Sequence, residues 1–228
     1  EEALYRKAGI DALILENMHD TPYLKRKVGP ESTAMMSMLG RAVKTVSGVP
    51  CGMQILAGAN QDALAAAQAG GLDFIRAEGF VFAHVADEGM MESDAGELLR
   101  YRKKIEATGV AIFTDIKKKH SSHAITADVD IGETAAAAQF FGSDGLIVTG
   151  AATAQAAQVD DFVAARQHTS LPLMVGSGIS IDNVANYLPH CDGLIVGSWF
   201  KEAGYWANAL SYERVARFMV KVRTWRKT

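Results

Sequence analysis

The sequence is poor in every feature that would mark a specialised chain. Cysteine occurs twice, at Cys51 and Cys191, too few for a disulfide-built scaffold. Both open apolar runs, where a buried free thiol in a reducing compartment is expected. Proline is scarce, at 5 in 228 residues, and the 21 glycines follow no period, which excludes collagen-like and proline-rich disordered chains. Neither sign of charge dominates: 23 Lys and Arg against 26 Asp and Glu leave a net charge of −3. The broad basic face that nucleic-acid binding demands is therefore lacking. No apolar run approaches the roughly 20 residues that cross a bilayer, and residues 1–10 lack a signal-peptide pattern. A soluble chain without nucleic-acid partner or membrane span is expected. The cytoplasm is the expected compartment, with an organelle left open because any targeting segment would lie upstream.

What is present is enough apolar material, 49% of residues, to fill one sizeable core. Two kinds of short apolar run alternate along the chain. One kind opens on Asp: Asp11 before ALILEN, Asp73 before FIRAEG, Asp144 before GLIVTG and Asp192 before GLIVGS. The other enters from Val-Pro, Gly-Val or Leu-Pro: CGMQIL after Pro50, AIFTDIK after Val110 and LMVGSG after Pro172. Seven strands result. They are apolar on consecutive residues, as strands covered on both faces by helices are. Ala-rich segments at 61–69, 96–107, 132–141 and 160–167 separate them, and 211–226 has the spacing of a closing helix. Repeated βα units of this kind predict a parallel (β/α)8 TIM barrel forming one domain over 1–228. Because the alternation begins and ends on the Asp kind, one strand of the other kind, the first, is expected to be missing.

In such a barrel the carboxyl ends of the strands carry the chemistry. Alternation along each strand sends Glu16, Gln54, Arg76, Glu78, Asp115 and Lys117 inward toward one mouth. Buried charges need partners, so Arg76 and Lys117 are expected to pair with Glu16, Glu78 or Asp115. At the far end of the chain, Gly176-Ser177-Gly178 and Gly197-Ser198 follow the last two strands. Glycine lets backbone N–H groups approach an anion, serine adds donors and a helix N-terminus adds favourable partial charge. A phosphate site is expected there, for a small phosphorylated molecule. A dinucleotide fingerprint is not met, since Ile181 stands where the third glycine belongs. No cofactor is predicted. The spacing of His120 and His123 near Asp115 is permissive for a divalent metal but is no signature. The segment Phe80 to Asp94 reads as a lid, Met35, Met36, Met38 and Leu39 as a core-facing stripe, and the loop 22–30 with Lys25, Arg26 and Lys27 as a reach toward an anionic ligand.

The motifs AGIDALILEN, DFIRAEGFVFAHVADEG, LLRYR, TDIKKKHSSHAI, DGLIVTG, VGSGISIDNV and DGLIVGSWFK together resemble the BtpA/SgcQ family over essentially the whole chain. The resemblance implies a phosphate-binding barrel with an initial strand upstream. Some relatives look like enzymes of sugar or nucleoside metabolism, and the family name comes from a cyanobacterial factor needed for photosystem I accumulation. Many members carry D-V-x-V-K-H on the fifth barrel strand; Asp115, Lys119 and His120 match it here, so a role for Lys117 rests on alternation alone. The expected catalytic set is Glu16, Asp115, Lys117, Lys119 and His120. Carboxylates would serve as acid and base, and Lys117 or Lys119 would stabilise negative charge or form a Schiff base. Gln54, Arg76, Glu78, Thr149, Gly176, Ser177, Gly178, Gly197 and Ser198 are expected to bind substrate. Isomerase, lyase and hydrolase chemistry all fit. A non-catalytic assembly or biogenesis factor is the alternative, and self-association into a homo-oligomer stays open.

Overall fold

The alternating runs form βα units in a computed structural model that describes residues 1–150 and 157–226. Helix α1 (Glu2–Ala8) leads into β1 (Leu13–Glu16), α2 (Pro30–Ser47), β2 (Cys51–Gln54), α3 (Asn60–Gly70) and β3 (Phe74–Ala77). A hairpin follows, β4 (His84–Ala86) and β5 (Gly89–Met91), and then α4 (Ala95–Lys104), β6 (Ala111–Ile116) and the short β7 (Ser121–Ser122). The chain ends with α5 (Ile131–Phe140), β8 (Gly145–Val148), α6 (Val159–His168), β9 (Leu173–Val175), α7 (Val184–Tyr187), β10 (Gly193–Leu194) and α8 (Tyr212–Trp225). Seven strands pair in parallel in the order β1-β2-β3-β6-β8-β9-β10, the curled sheet of a TIM barrel.

The strand-opening aspartates have a common structural duty. Asp73 accepts from Cys51 N (2.7 Å) and pairs with Lys44 of α2. Asp144 accepts from Ile112 N (2.8 Å) and pairs with Arg102 of α4, and Asp192 accepts from Leu173 N (2.8 Å) and pairs with Arg166 of α6. Each carboxylate thus caps a strand N–H at the start of the preceding strand and ties down the helix two units back, at the end of the barrel remote from the mouth. Asp11 meets Arg226, which follows α8, through two bonds of 3.0 and 2.7 Å. That pair carries the same relation across the ring, except that no strand N–H meets Asp11 among the described residues. β10 and β1 are the two ends of the strand order.

Interior side chains stack in layers. Phe74 and Phe113 meet edge to face at 5.5 Å and fill the floor. Gly52 and Gly145 sit so close to these rings that a Cβ would lie 2.0 and 2.3 Å from them. The polar layer lies above, toward the mouth.

Three expectations are corrected. Met36 is buried but Met35, Met38 and Leu39 are exposed, because helical spacing turns them off the core face. Segment 80–94 is pinned rather than hinged: Phe80 and Met91 are fully buried, and β4 pairs with both β5 and β7. Arg26 does not reach for a ligand, since its guanidinium donates to Glu78 O (3.0 Å), Gly79 O (2.9 Å) and Asp94 Oδ2 (2.9 Å). It bolts its own loop to this segment.

Candidate functional site

Arg76, on β3, is the centre of the mouth. Its Nε donates to both Asp115 oxygens at 3.2 Å and its Nη2 to Oδ1 at 3.0 Å, while Nη1 reaches Glu16 Oε1 at 3.3 Å. The Asp115 carboxylate is wholly buried and the Glu16 carboxylate 22% exposed. Burial disfavours the guanidinium charge, but Asp115, Glu16 and Glu78 outweigh it and hold Arg76 protonated. Glu16, Arg76 and Asp115, read inward from alternation, therefore converge as a closed ion network rather than as free reagents.

Glu78 forms a second unit. It accepts from Gln54 Nε2 (2.5 Å) and from Lys118 Nζ (2.7 Å). Burial raises its pKa, Lys118 opposes the rise and Asp115 adds to it. Lys118 was missed by sequence reasoning, and alternation misplaces Lys117. The reason is local. Lys117 (φ 52°) and His120 (φ 53°) both adopt left-handed backbone, which ends the strand period after Ile116. Lys117 Nζ leaves the mouth and donates to Val129 O (2.6 Å) and Thr126 O (3.4 Å). Lys118 turns to Glu78. Lys119 turns into the large cavity, its backbone N held by Thr149 Oγ1 at 2.9 Å. Burial, with Arg76 next, lowers the Lys119 pKa. His120 is exposed.

That cavity, about 690 Å³, brings together Glu16, Arg76 and Lys119 with Gly176, Ser177, Gly178, Gly197 and Ser198. The glycines differ in purpose. A Cβ on Gly176 would meet Ile147 at 2.5 Å, so that glycine serves packing. Gly178 has φ 70°, and a Cβ on Gly197 would meet nothing within 4 Å. Asn183 closes the first loop, accepting from Ser180 N (2.9 Å) and donating to Gly178 O (2.8 Å). The backbone N–H groups of Ser177, Gly178, Ile179, Gly197 and Ser198 have no acceptor among the described residues. They are donors ready for an anion. The expected helix N-terminus contributes little, since α7 has four residues and starts at Val184.

Gln54, Glu78, Asp115 and Thr149 are not among the residues that line this cavity. A smaller space of about 20 Å³ touches Asp115, Lys117, Lys118, His84 and His123, room for one water. His84 Nε2 has no partner among the described residues, and its ring lies 5.4 Å from that of His123, which donates from Nε2 to Lys118 O at 3.0 Å. Burial lowers the His84 pKa to about 4, with His123 and Lys118 adding to the shift. Among the described residues no group of three His, Cys, Asp or Glu side chains is placed to hold a metal ion, so His120, His123 and Asp115 do not form one. No described helix is long and apolar enough to cross a membrane.

Comparison with known proteins places this geometry among relatives. An uncharacterised Caenorhabditis elegans protein, named as mitochondrial, is 46% identical over 229 residues, covering 98% of this chain and 82% of its own. The photosystem I biogenesis protein BtpA of Synechocystis is 30% identical over 212 residues, covering 92% and 73%. Among solved structures, (S)-3-O-geranylgeranylglyceryl phosphate synthase from Thermoplasma acidophilum, in complex with its substrate sn-glycerol-1-phosphate, superposes with a TM-score of 0.61 at 15% identity, covering 98% and 85%. At that identity the likeness speaks for the fold alone. The BtpA family model matches residues 1–224, and the chain belongs to the BtpA family.

Proposed function

We propose that this protein binds a small phosphorylated metabolite of sugar or nucleoside type at the carboxyl face of its barrel and acts on it by acid/base or lysine-assisted chemistry, as an isomerase, lyase or hydrolase. The observation that carries the reading is the shared cavity. N–H donors of two glycine-serine loops, without an acceptor among the described residues, lie in the same space as Glu16, Arg76 and Lys119. Charge-assisted bonds of about 1.5–3 kcal/mol each would let three or four such donors anchor a phosphate. Glu16, partly exposed and held by one bond to Arg76, is placed to move a proton. Arg76 would offset negative charge developing on the substrate, and Lys119 would add a second cation or a nucleophile. The glycerol phosphate named for the synthase of the same fold agrees with such a ligand.

Thermal shift with ribose 5-phosphate and with inorganic phosphate tests the reading. Both should stabilise the protein, and Ser177→Ala with Ser198→Ala should weaken both effects. No stabilisation by either ligand would end it. The name of the Synechocystis relative favours a second reading, an assembly factor without turnover. Full biological activity retained in a Glu16→Gln, Lys119→Gln variant would decide for it. The mitochondrial name of the worm relative supports the organelle already left open beside the cytoplasm.

A further inference from the structure

Three consecutive lysines point in three directions, and among the described residues only one is left with nothing to hold. Lys117 spends its ammonium on two backbone carbonyls. Lys118 spends its own on the buried Glu78 carboxylate at 2.7 Å. Among the described residues the Lys119 side chain has no hydrogen-bond or ion-pair partner, although it is half-buried and lines the cavity that also contains Glu16, Ser177 and Ser198. A lysine that only balanced charge would sit against a carboxylate. The two carboxylates closest to this role, Glu16 and Asp115, are already engaged by Arg76.

We infer that Lys119 is a covalent nucleophile, forming an imine with a phosphorylated aldehyde or ketone whose phosphate rests on the two glycine-serine loops. This rests on the function proposed above and adds the substrate class to it. The neutral Nζ adds to the carbonyl carbon and a C–N bond forms. The carbonyl oxygen takes up the proton that the nitrogen gives up, with Glu16 placed to carry it. The nitrogen's remaining proton, moved to that oxygen by the same carboxylate, lets it leave as water, and a neutral C=N bond remains. No oxidant or reductant is consumed. Burial, with Arg76 and Lys118, lowers the Lys119 pKa against the opposing pull of Glu16 and Asp115, which raises the share of neutral amine above that of an exposed lysine. The fixed backbone helps as well: the bond from Lys119 N to Thr149 Oγ1 and the left-handed residues 117 and 120 set the direction of the side chain.

Borohydride trapping tests the assignment. The protein is incubated with glyceraldehyde 3-phosphate or ribose 5-phosphate, reduced, and examined by intact mass and peptide mapping, with thermal shift run in parallel. One adduct per chain is expected, with the mass of the probe less one oxygen atom, on Lys119 and suppressed by inorganic phosphate. Lys119→Arg should lose more than nine-tenths of the adduct yet still be stabilised by inorganic phosphate, which shows that it is folded. Glycerol 3-phosphate, which has no carbonyl, should bind and leave no adduct. Stabilisation by the carbonyl probes without an adduct on Lys119, or labelling spread over surface lysines and indifferent to phosphate, overturns the imine and leaves the phosphate reading standing. No stabilisation by any phosphate compound overturns both.

Discussion

Asn60 holds Glu78 by its backbone: Nδ2 donates to Glu78 O at 2.8 Å and Oδ1 accepts from Glu78 N at 3.1 Å. The first residue of α3 therefore fixes the strand end from which the Glu78 carboxylate reaches Gln54 and Lys118. Asn60→Ala removes both bonds inside a buried site and should cost about 2–4 kcal/mol, from roughly 1–2 for each buried group left unpaired. Asn60→Asp keeps the acceptor but sets a second carboxylate against Asp94, which Asn60 also contacts at 2.9 Å, and should be no better. Urea unfolding of the two variants checks both statements.

The Arg76–Asp115 pair is buried on both sides, so removing one partner strands the charge of the other. Arg76→Met and Asp115→Leu should each cost about 3–5 kcal/mol, and the double variant much less than their sum. Additive losses in a double-mutant cycle would mean that the two groups do not depend on each other.

Two glycines of the anion loops should respond oppositely. Gly176→Ala forces a Cβ to within 2.5 Å of Ile147 and should destabilise the fold by about 1–3 kcal/mol. Gly197→Ala finds open space and should leave the unfolding midpoint nearly unchanged, while its methyl group crowds the proposed phosphate site. A loss of about tenfold in phosphate affinity, equivalent to about 1.4 kcal/mol, is expected by calorimetry.

Acid pH should expose two opposing titrations. Burial raises Asp94 from 3.8 to about 6, against the pull of Arg26. The folded state then holds that proton more tightly, so its contribution is full below 3.8 and is lost as pH rises through 6. Burial lowers His84 from 6.5 to about 4. The unfolded chain takes that proton first, so stability is lost as pH falls from 6.5 and levels off below 4. His84→Gln should make the protein more acid-tolerant than its parent, and Asp94→Asn less so, between about pH 6 and 4. Urea midpoints measured across that window for the three proteins test the signs.

Much of the architecture was legible because it depends on local periods. Short apolar runs alternating with Ala-rich segments predict the strands and helices, and α3, α5, α6 and α8 lie within a residue or two of the segments read. The aspartates marked a repeat that the structure explains as strand caps. Alternation placed Glu16, Gln54, Arg76, Glu78 and Asp115 inward because strand pleating holds through Ile116. It failed one residue later, at Lys117, where left-handed backbone breaks a period that only the chain's own turn could reveal. Asn60 carried no local signal, since its partners Glu78 and Asp94 lie 18 and 34 residues away.

The order of residues by itself determined the seven barrel strands, their parallel pairing and the inward side chains as far as Asp115, because those follow from backbone geometry over a few neighbours. Tertiary structure alone decided which of three adjacent lysines turns into the large cavity and which glycine is closely packed and which faces open space. Those outcomes depend on what the curled sheet brings across the mouth, a relation between strands that no single strand encodes.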